Sequence, residues 1–180
     1  VKAQGTKQLW GVTEKGGESY GVIFKTDQNG QNQQIIHAFK ASTGGKFPSY
    51  GKLCEGSTGK LYSVLNGGKY DNGIVIEFST DSNKLVKKVD FKESINGSAP
   101  LGLVKASNGK LYGVTHAEGA SQKGTLFEYD ATTNVLTTKV NFTGTNGANP
   151  SAVLLLASNG KLYGTTEMGG TDDLGVLFEY

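Results

Sequence analysis

The chain alternates between short apolar runs and glycine-rich polar stretches, and the runs are strand-sized. Residues 150–157, PSAVLLLA, form a continuous apolar run of the kind a strand buried on both faces would have. Asn159-Gly160 follows, a pair suited to the positive φ angles of a two-residue hairpin turn, and Asn108-Gly109 stands one repeat earlier. KLYGTT at 161–166 reads as the next strand. A glycine-rich loop separates it from GVLFEY at 175–180. One repeat earlier, GTLFEYD leads through a polar turn ending at Asn134 into LTTKVNF, whose alternation suits an outer strand with one wet face. No segment carries an extended 3.6-residue apolar period, so no helix is expected. The strands are labelled a (Pro-led, innermost), b (LYG), c (LFEY) and d (KVNF, outermost).

The same order of elements recurs along the chain. Gly17, Gly68, Gly119 and Gly170 are spaced by 51 residues each time. Gly21, Gly73, Gly124 and Gly175 form a second phase, and Trp10, Tyr62, Tyr112 and Tyr163 a third. Pro48, Pro100 and Pro150 share one position of the repeat, and Phe39, Phe91 and Phe142 another. Helical repeats are shorter and would lose roughly 1 kcal/mol at each helix-interior glycine. Leucine-rich repeats are about half this length, whereas kelch-like blades run about 50 residues. The prediction is an all-β chain, a β-propeller in partial ring form, made of four-stranded antiparallel blades. The blades are placed at approximately 1–44, 45–97, 98–147 and 148–180, the last incomplete. Val1 aligns with Val104 inside strand a, and Tyr180 with Tyr129 at the end of strand c. The segment is therefore expected not to close a ring by itself, and to need further blades of the same protein or a second copy.

Composition narrows the function classes. Glycine supplies 27 of 180 residues, about twice the usual share, without the triplet period of collagen. The 18 basic residues nearly balance 16 acidic ones, and every basic residue is lysine. The missing guanidinium fork argues against a nucleic-acid partner. No apolar run approaches a membrane span. With Cys54 as the single cysteine, an intrachain disulfide and a four-cysteine zinc site are both excluded.

The motif G-K-L-Y-G-x-T, a Gly-Gly loop, G-x-L-F-E-Y and a K-V-x-F strand, best matched at Gly109–Tyr129 and Gly160–Tyr180, resembles the GloVer tandem repeat of choice-of-anchor bacterial surface proteins. The resemblance covers essentially the whole chain. It implies export to the cell surface and attachment through a C-terminal sorting or anchoring signal. The first blade departs from the motif with Trp10 for tyrosine and Lys25 for glutamate, the second with Ser63 for glycine and Leu65 for threonine.

No catalytic constellation is legible. The glycines open no helix as a phosphate loop would and read as turn formers. The strand-b aromatics read as packing between blades rather than a sugar-stacking ring. Glu77, Glu128 and Glu179 recur in strand c and read as partners of cross-strand lysines, because equivalent sites on adjacent blades are too far apart for a glycosidase pair. His37 in strand d and His116 in the loop after strand b cannot make a three-histidine zinc site. Cys54 reads as a buried thiol and Asp27-x-Asn29-Gly30 as a tight turn. No cofactor and no metal is expected. The b–c loops, 14–20, 66–72, 116–123 and 167–174, vary most between repeats and share a face with the d–a connections. Tyr70, Asp71, His116, Glu118, Asp172 and Asp173 lie there as candidate ligand-binding residues, and they read equally as solvated loop. The favoured reading is a non-enzymatic display or adhesion module binding a protein or glycan. The alternatives are a glycan- or peptide-acting enzyme completed by further blades, and a structural spacer.

Overall fold

The computed structural model describes residues 1, 7–17, 20–40, 45, 46, 48 and 52–180. The first blade contains β1 (Gln8–Thr13), β2 (Val22–Asp27) and β3 (Gln34–Ala38). The second contains β4 (Gly45–Lys46), β5 (Cys54–Ser57), β6 (Lys60–Gly67), β7 (Ile74–Ser79) and β8 (Lys84–Asp90). A one-turn helix, α1 (Glu93–Asn96), precedes the third blade: β9 (Ser98–Pro100), β10 (Val104–Lys105), β11 (Leu111–Ala117), β12 (Thr125–Asp130) and β13 (Val135–Asn141). The fourth has β14 (Ala148–Pro150), β15 (Leu155–Leu156), β16 (Leu162–Met168) and β17 (Leu177–Glu179). All strand pairings within these blades are antiparallel. The chain is thus an all-β array of propeller blades, and three c–d ladders carry a register shift at one shared place: Ile23/Phe24, Val75/Ile76 and Leu126/Phe127.

Two expectations need correction. Strand a is not one continuous strand. In the third blade β9 pairs with the far half of β11 and β10 with its near half. Between them Gly102 takes a φ of 103°, and Pro100 lacks the N–H that a ladder needs. The run 150–157 is split in the same way, into β14 and β15. The turn of helix at α1 was also not expected, since four residues are too few to display a period. The leading strand of the second blade lies partly outside the described residues, as do residues 18 and 19 of the first b–c loop. Val1, aligned with Val104, does sit beside strand b: the Trp10 N–H donates to its carbonyl at 2.7 Å, where Val104 faces Tyr112.

Each blade buries its face against the next. One apolar cluster joins blades 1 and 2 around Trp10, Phe39, Leu61 and Phe78, a second joins blades 2 and 3, and a third joins blades 3 and 4 around Leu126, Phe142 and Leu154. Among the described residues no core cluster joins blade 4 to blade 1. The repeat phases follow from these contacts. The backbone N–H groups of Phe39, Phe91 and Phe142 donate to the carbonyls of Gly21, Gly73 and Gly124 at 2.9–3.1 Å, which drives each ring into the interface. Phe91 then meets Phe127 at 4.9 Å and Phe142 meets Phe178 at 5.1 Å between ring centroids. The prolines share a phase because each packs on that glycine of the preceding blade. A Cβ on Gly73 would lie 2.5 Å from Pro100 Cδ, and one on Gly124 2.7 Å from Pro150 Cδ.

Candidate functional site

The end of the array that carries the a–b hairpins is built from one repeated polar unit. Strand register puts Tyr62 opposite Glu77, Tyr112 opposite Glu128 and Tyr163 opposite Glu179. The Tyr62 hydroxyl donates to Glu77 at 2.9 Å and that of Tyr163 to Glu179 at 3.0 Å, and Tyr112 bonds Glu128 in the same way. Lys60 and Lys88 stand 3.1 and 3.3 Å from Glu77, Lys110 stands 2.9 Å from Glu128, and Lys161 pairs with Glu179. The same tyrosine rings reach across to the next blade: Tyr62 lies 6.0 Å from Tyr129, and Tyr112 5.9 Å from Tyr180.

Sequence inspection noted the Trp10 and Lys25 departures separately, and the structure joins them. Trp10 faces Lys25 in the register, with the ammonium 5.7 Å from the indole centroid. A phenol–carboxylate bond has been exchanged for a cation over an aromatic face. The Ser63 departure is coupled too. Gly11, Gly113 and Gly164 each lie beneath a strand-c phenylalanine, so that a Cβ would meet Phe24, Phe127 or Phe178 at 2.4–2.5 Å. Opposite Ser63 the phenylalanine is replaced by Ile76.

Burial alone would push the Glu77 and Glu128 carboxyls up, but the hydroxyl and ammonium donors outweigh it and hold both below the usual range. A carboxylate lowered in the folded state contributes stability above its unfolded pKa of about 4.3, and that stability is lost as pH falls through the folded value. Glu128→Gln is accordingly expected to cost about 1–3 kcal/mol at neutral pH and to flatten the loss of thermal stability on acidification below about pH 4. Melting curves of both chains across acid pH test this, and identical acid slopes would remove Glu128 from the account. These carboxylates are committed to structure, and they are distributed one to a blade.

The opposite end holds the variable residues. Here the d–a connections bond the b–c loops on either side. Ala99 donates to the Asn72 carbonyl at 3.2 Å and Asn149 to that of Lys123 at 2.9 Å, while Gly119 donates to Glu93 and Gly170 to Gly144, both at 2.8 Å. The loops are tight turns around left-handed residues: Asp71, Gln122 and Asp173 share one repeat position with φ of 56–58°. Glu118 has a φ of 60° at the position that Gly16, Gly67 and Gly169 occupy in the other blades.

The six candidate residues are distributed over three blades. Tyr70 is exposed, with the Lys69 ammonium 5.1 Å from its ring centroid, and Asp71 follows it in the turn. His116 lies inside β11 rather than in the loop after it. Its Nδ1 is 3.0 Å from the Pro150 carbonyl, and Asn149 Nδ2 donates to the His116 carbonyl at 3.1 Å, so His116 ties blade 3 to blade 4. Asp173 accepts the Gly169 N–H at 2.7 Å and shapes its own loop, whereas Asp172 is exposed. Tyr70 opens onto a cleft of about 490 Å³, together with Asn72, Lys92 and Glu93, three residues that sequence inspection did not single out. Lys92 and Glu93 come from the d–a connection, where Lys92 recurs as Lys40 but Glu93 has no counterpart acid in the other blades. Their proximity to the loop depends on tertiary packing that no local signal carries. Among the described residues no group of three or more His, Cys, Asp or Glu side chains is placed to hold a metal ion. Cys54 is buried, and burial pushes its thiol pKa up.

Comparison with known proteins places this architecture. The family model described as the Gloeobacter/Verrucomicrobia repeat matches residues 2–180. No curated protein matches the chain. Among solved structures, TolB from Acinetobacter baumannii is similar at 12% identity with a TM-score of 0.60, over 96% of this chain and 40% of that one. PorZ of Porphyromonas gingivalis, described as an essential bacterial surface component of the type-IX secretion system, is similar at 14% identity with a TM-score of 0.55, over 96% of this chain and 26% of PorZ. The β-propeller domain of the trilobed protease from Pyrococcus furiosus is similar at 11% identity with a TM-score of 0.50, over 89% of this chain and 46% of that one. The chain thus spans less than half the length of each, and the likeness shows the propeller fold alone.

Proposed function

For a chain that belongs to the Gloeobacter/Verrucomicrobia repeat family, we propose the role of a binding module on an exported bacterial surface protein, holding a protein or glycan on the face made by the b–c loops and d–a connections. The observation that carries this reading is the contrast between the two ends. At one end the Tyr–Glu–Lys unit recurs in three blades with its phenol, carboxylate and ammonium groups paired to one another. At the other, one scaffold presents NGGKYDN, AEGASQK and MGGTDDL, three different chemistries on turns of the same geometry. The surface role described for PorZ is in keeping with it. In the same reading a further blade, from this protein or a second copy, covers the open side of blade 4. Leu177 is 72% exposed there, whereas the corresponding Leu126 is fully covered by a neighbouring blade.

The test is retention of the fluorescently labelled chain on purified bacterial envelopes and on immobilised mucin, beside a variant carrying Tyr70→Ser, Glu118→Gly and Asp172→Ser. These positions are exposed or already glycine in other repeats, so the variant should melt with the parent. The parent should saturate at least one surface, and the variant should keep less than about a tenth of the affinity. No saturable retention, or equal retention by both chains, overturns the reading.

A further inference from the structure

We propose that the cleft between the b–c loop of blade 2 and α1 is a carbohydrate site that seats one neutral pyranose ring of a glycan, an inference that rests on the binding-module reading. The cleft, about 490 Å³, is lined by Tyr70, Asn72, Lys92 and Glu93. Tyr70 on one wall and Glu93 on the other depart from the repeat, whereas Lys92 recurs as Lys40. Tyr70 stands where blades 3 and 4 have Ser121 and Asp172. The connection carrying Lys92 and Glu93 makes a helical turn, whereas the next one, before blade 4, closes on itself through Thr143, Asn146 and the Gly144–Gly147 bridge.

Three of the four lining side chains are uncommitted, unlike the polar groups around them. Asp90 is held by the Lys69 N–H and by Lys87, Asn141 by the Ala120 N–H, and Asp173 by Gly169. Among the described residues, the side chains of Asn72, Lys92 and Glu93 make neither a hydrogen bond nor an ion pair, and Tyr70 is 47% exposed with only the Lys69 ammonium near its ring. Both walls are nevertheless fixed. The Asn72 carbonyl accepts from Ala99 and that of Glu93 from Gly119, while the Ile95 carbonyl accepts from Thr138 Oγ1 at 2.6 Å. The cleft is therefore formed before a ligand arrives, and little ordering is left for binding to impose.

Its chemistry selects the ligand class. A pyranose presents an apolar C–H face and a rim of hydroxyls, each both donor and acceptor. It needs an aromatic plane beside a donor, an acceptor and an amide that is both, which Tyr70, Lys92, Glu93 and Asn72 supply. An anionic sugar would meet the Glu93 carboxylate and a cationic one the Lys92 ammonium, so the complementary ring is uncharged.

Isothermal titration with chitotetraose, cellotetraose and mannotetraose tests this on the intact chain. At least one should bind saturably below about 10 mM. Tyr70→Ala should weaken that binding about tenfold or more, while Tyr70→Phe, which keeps the ring and removes the hydroxyl, should stay within about threefold of the parent. Glu93→Gln should weaken it by a smaller factor at an unchanged melting temperature. Failure of all three sugars to saturate, or full affinity in Tyr70→Ala, overturns the site. If the sugars fail while deglycosylated envelope protein still retains the chain, the carbohydrate inference falls and the binding-module reading survives with a protein partner. If retention fails as well, both fall.

Discussion

Gly124→Val is expected to abolish cooperative folding, or at least to cost about 4 kcal/mol or more. Gly124 has a φ of 86°, and a Cβ there would lie 2.4 Å from the Thr115 carbonyl oxygen, 3.0 Å from that of His116 and 2.7 Å from Pro150 Cδ. Two of these atoms are backbone and the third belongs to a ring of the next blade, so no rotamer change gives relief. The same residue offers its carbonyl to Phe142 and its N–H to the Glu118 carbonyl, so displacing it loosens both the b–c loop and the interface with blade 4. Gly160→Ala is the control. Its φ is 80°, but nothing lies within 4 Å of the added carbon, and the cost should be near the 1–2 kcal/mol of the left-handed conformation alone. Chemical denaturation of the two variants measures the difference. A Gly124→Val chain within about 1 kcal/mol of the parent would dismiss the interblade glycine–proline contact as a determinant of stability.

The second large effect is a coupling. Gly113→Ser should destabilise blade 3 by about 3 kcal/mol, since the new Cβ would be 2.5 Å from Phe127 Cζ in a site with no exposed surface. Phe127→Ile alone should cost about 1–2 kcal/mol, because the smaller side chain cannot reproduce the edge-to-face packing of the ring on Phe91. Together they recreate the Ser63–Ile76 pair that blade 2 already tolerates. The double variant should then be more stable than the sum of the single costs predicts by about 1–2 kcal/mol. Recovery stays incomplete because the Gly102 carbonyl would still lie 2.4 Å from the added carbon. Strict additivity in a double-mutant cycle would show that residues 113 and 127 act independently and would remove their coupling.

Much of the architecture can be read from phase alone. The glycine, aromatic, proline and phenylalanine phases predict the blades, the hairpins and the interblade packing of Trp10, Tyr62 and Tyr112, because each phase corresponds to one interface contact. What escaped was of two kinds. Strand a reads as continuous because Leu154, Leu155 and Leu156 are equally apolar, yet Leu154 is 3% exposed and Leu155 65%. In the third blade the same break falls at Gly102, whose φ of 103° is a backbone dihedral that apolar pattern does not encode. His116 was displaced from loop to strand for the related reason that β11 continues to Ala117 under a loop of positive-φ residues. The Tyr–Glu pairs escaped because the partners are 15 or 16 residues apart and meet only through hairpin register. One signal did exist: the blade that lacks the tyrosine also lacks the glutamate. The cleft beside Tyr70 left no such trace, since Tyr70 and Glu93 stand at positions whose residue type changes from blade to blade.

The matched pairs also define which pieces of such a gene can be exchanged. Trp10 with Lys25, Tyr62 with Glu77, Gly113 with Phe127 and Ser63 with Ile76 each lie on strands b and c of a single blade. A crossover between misaligned repeats that falls in a d–a connection moves both members together and delivers a compatible blade, whatever blade it joins. A crossover inside a b–c loop instead sets Trp10's strand against a glutamate, or Gly113's against an isoleucine, leaving a carboxylate without its phenol donor or a void. The loops that vary most are thus poor places to recombine, and diversity in them has to arise by point change. Length can vary freely, one whole blade at a time.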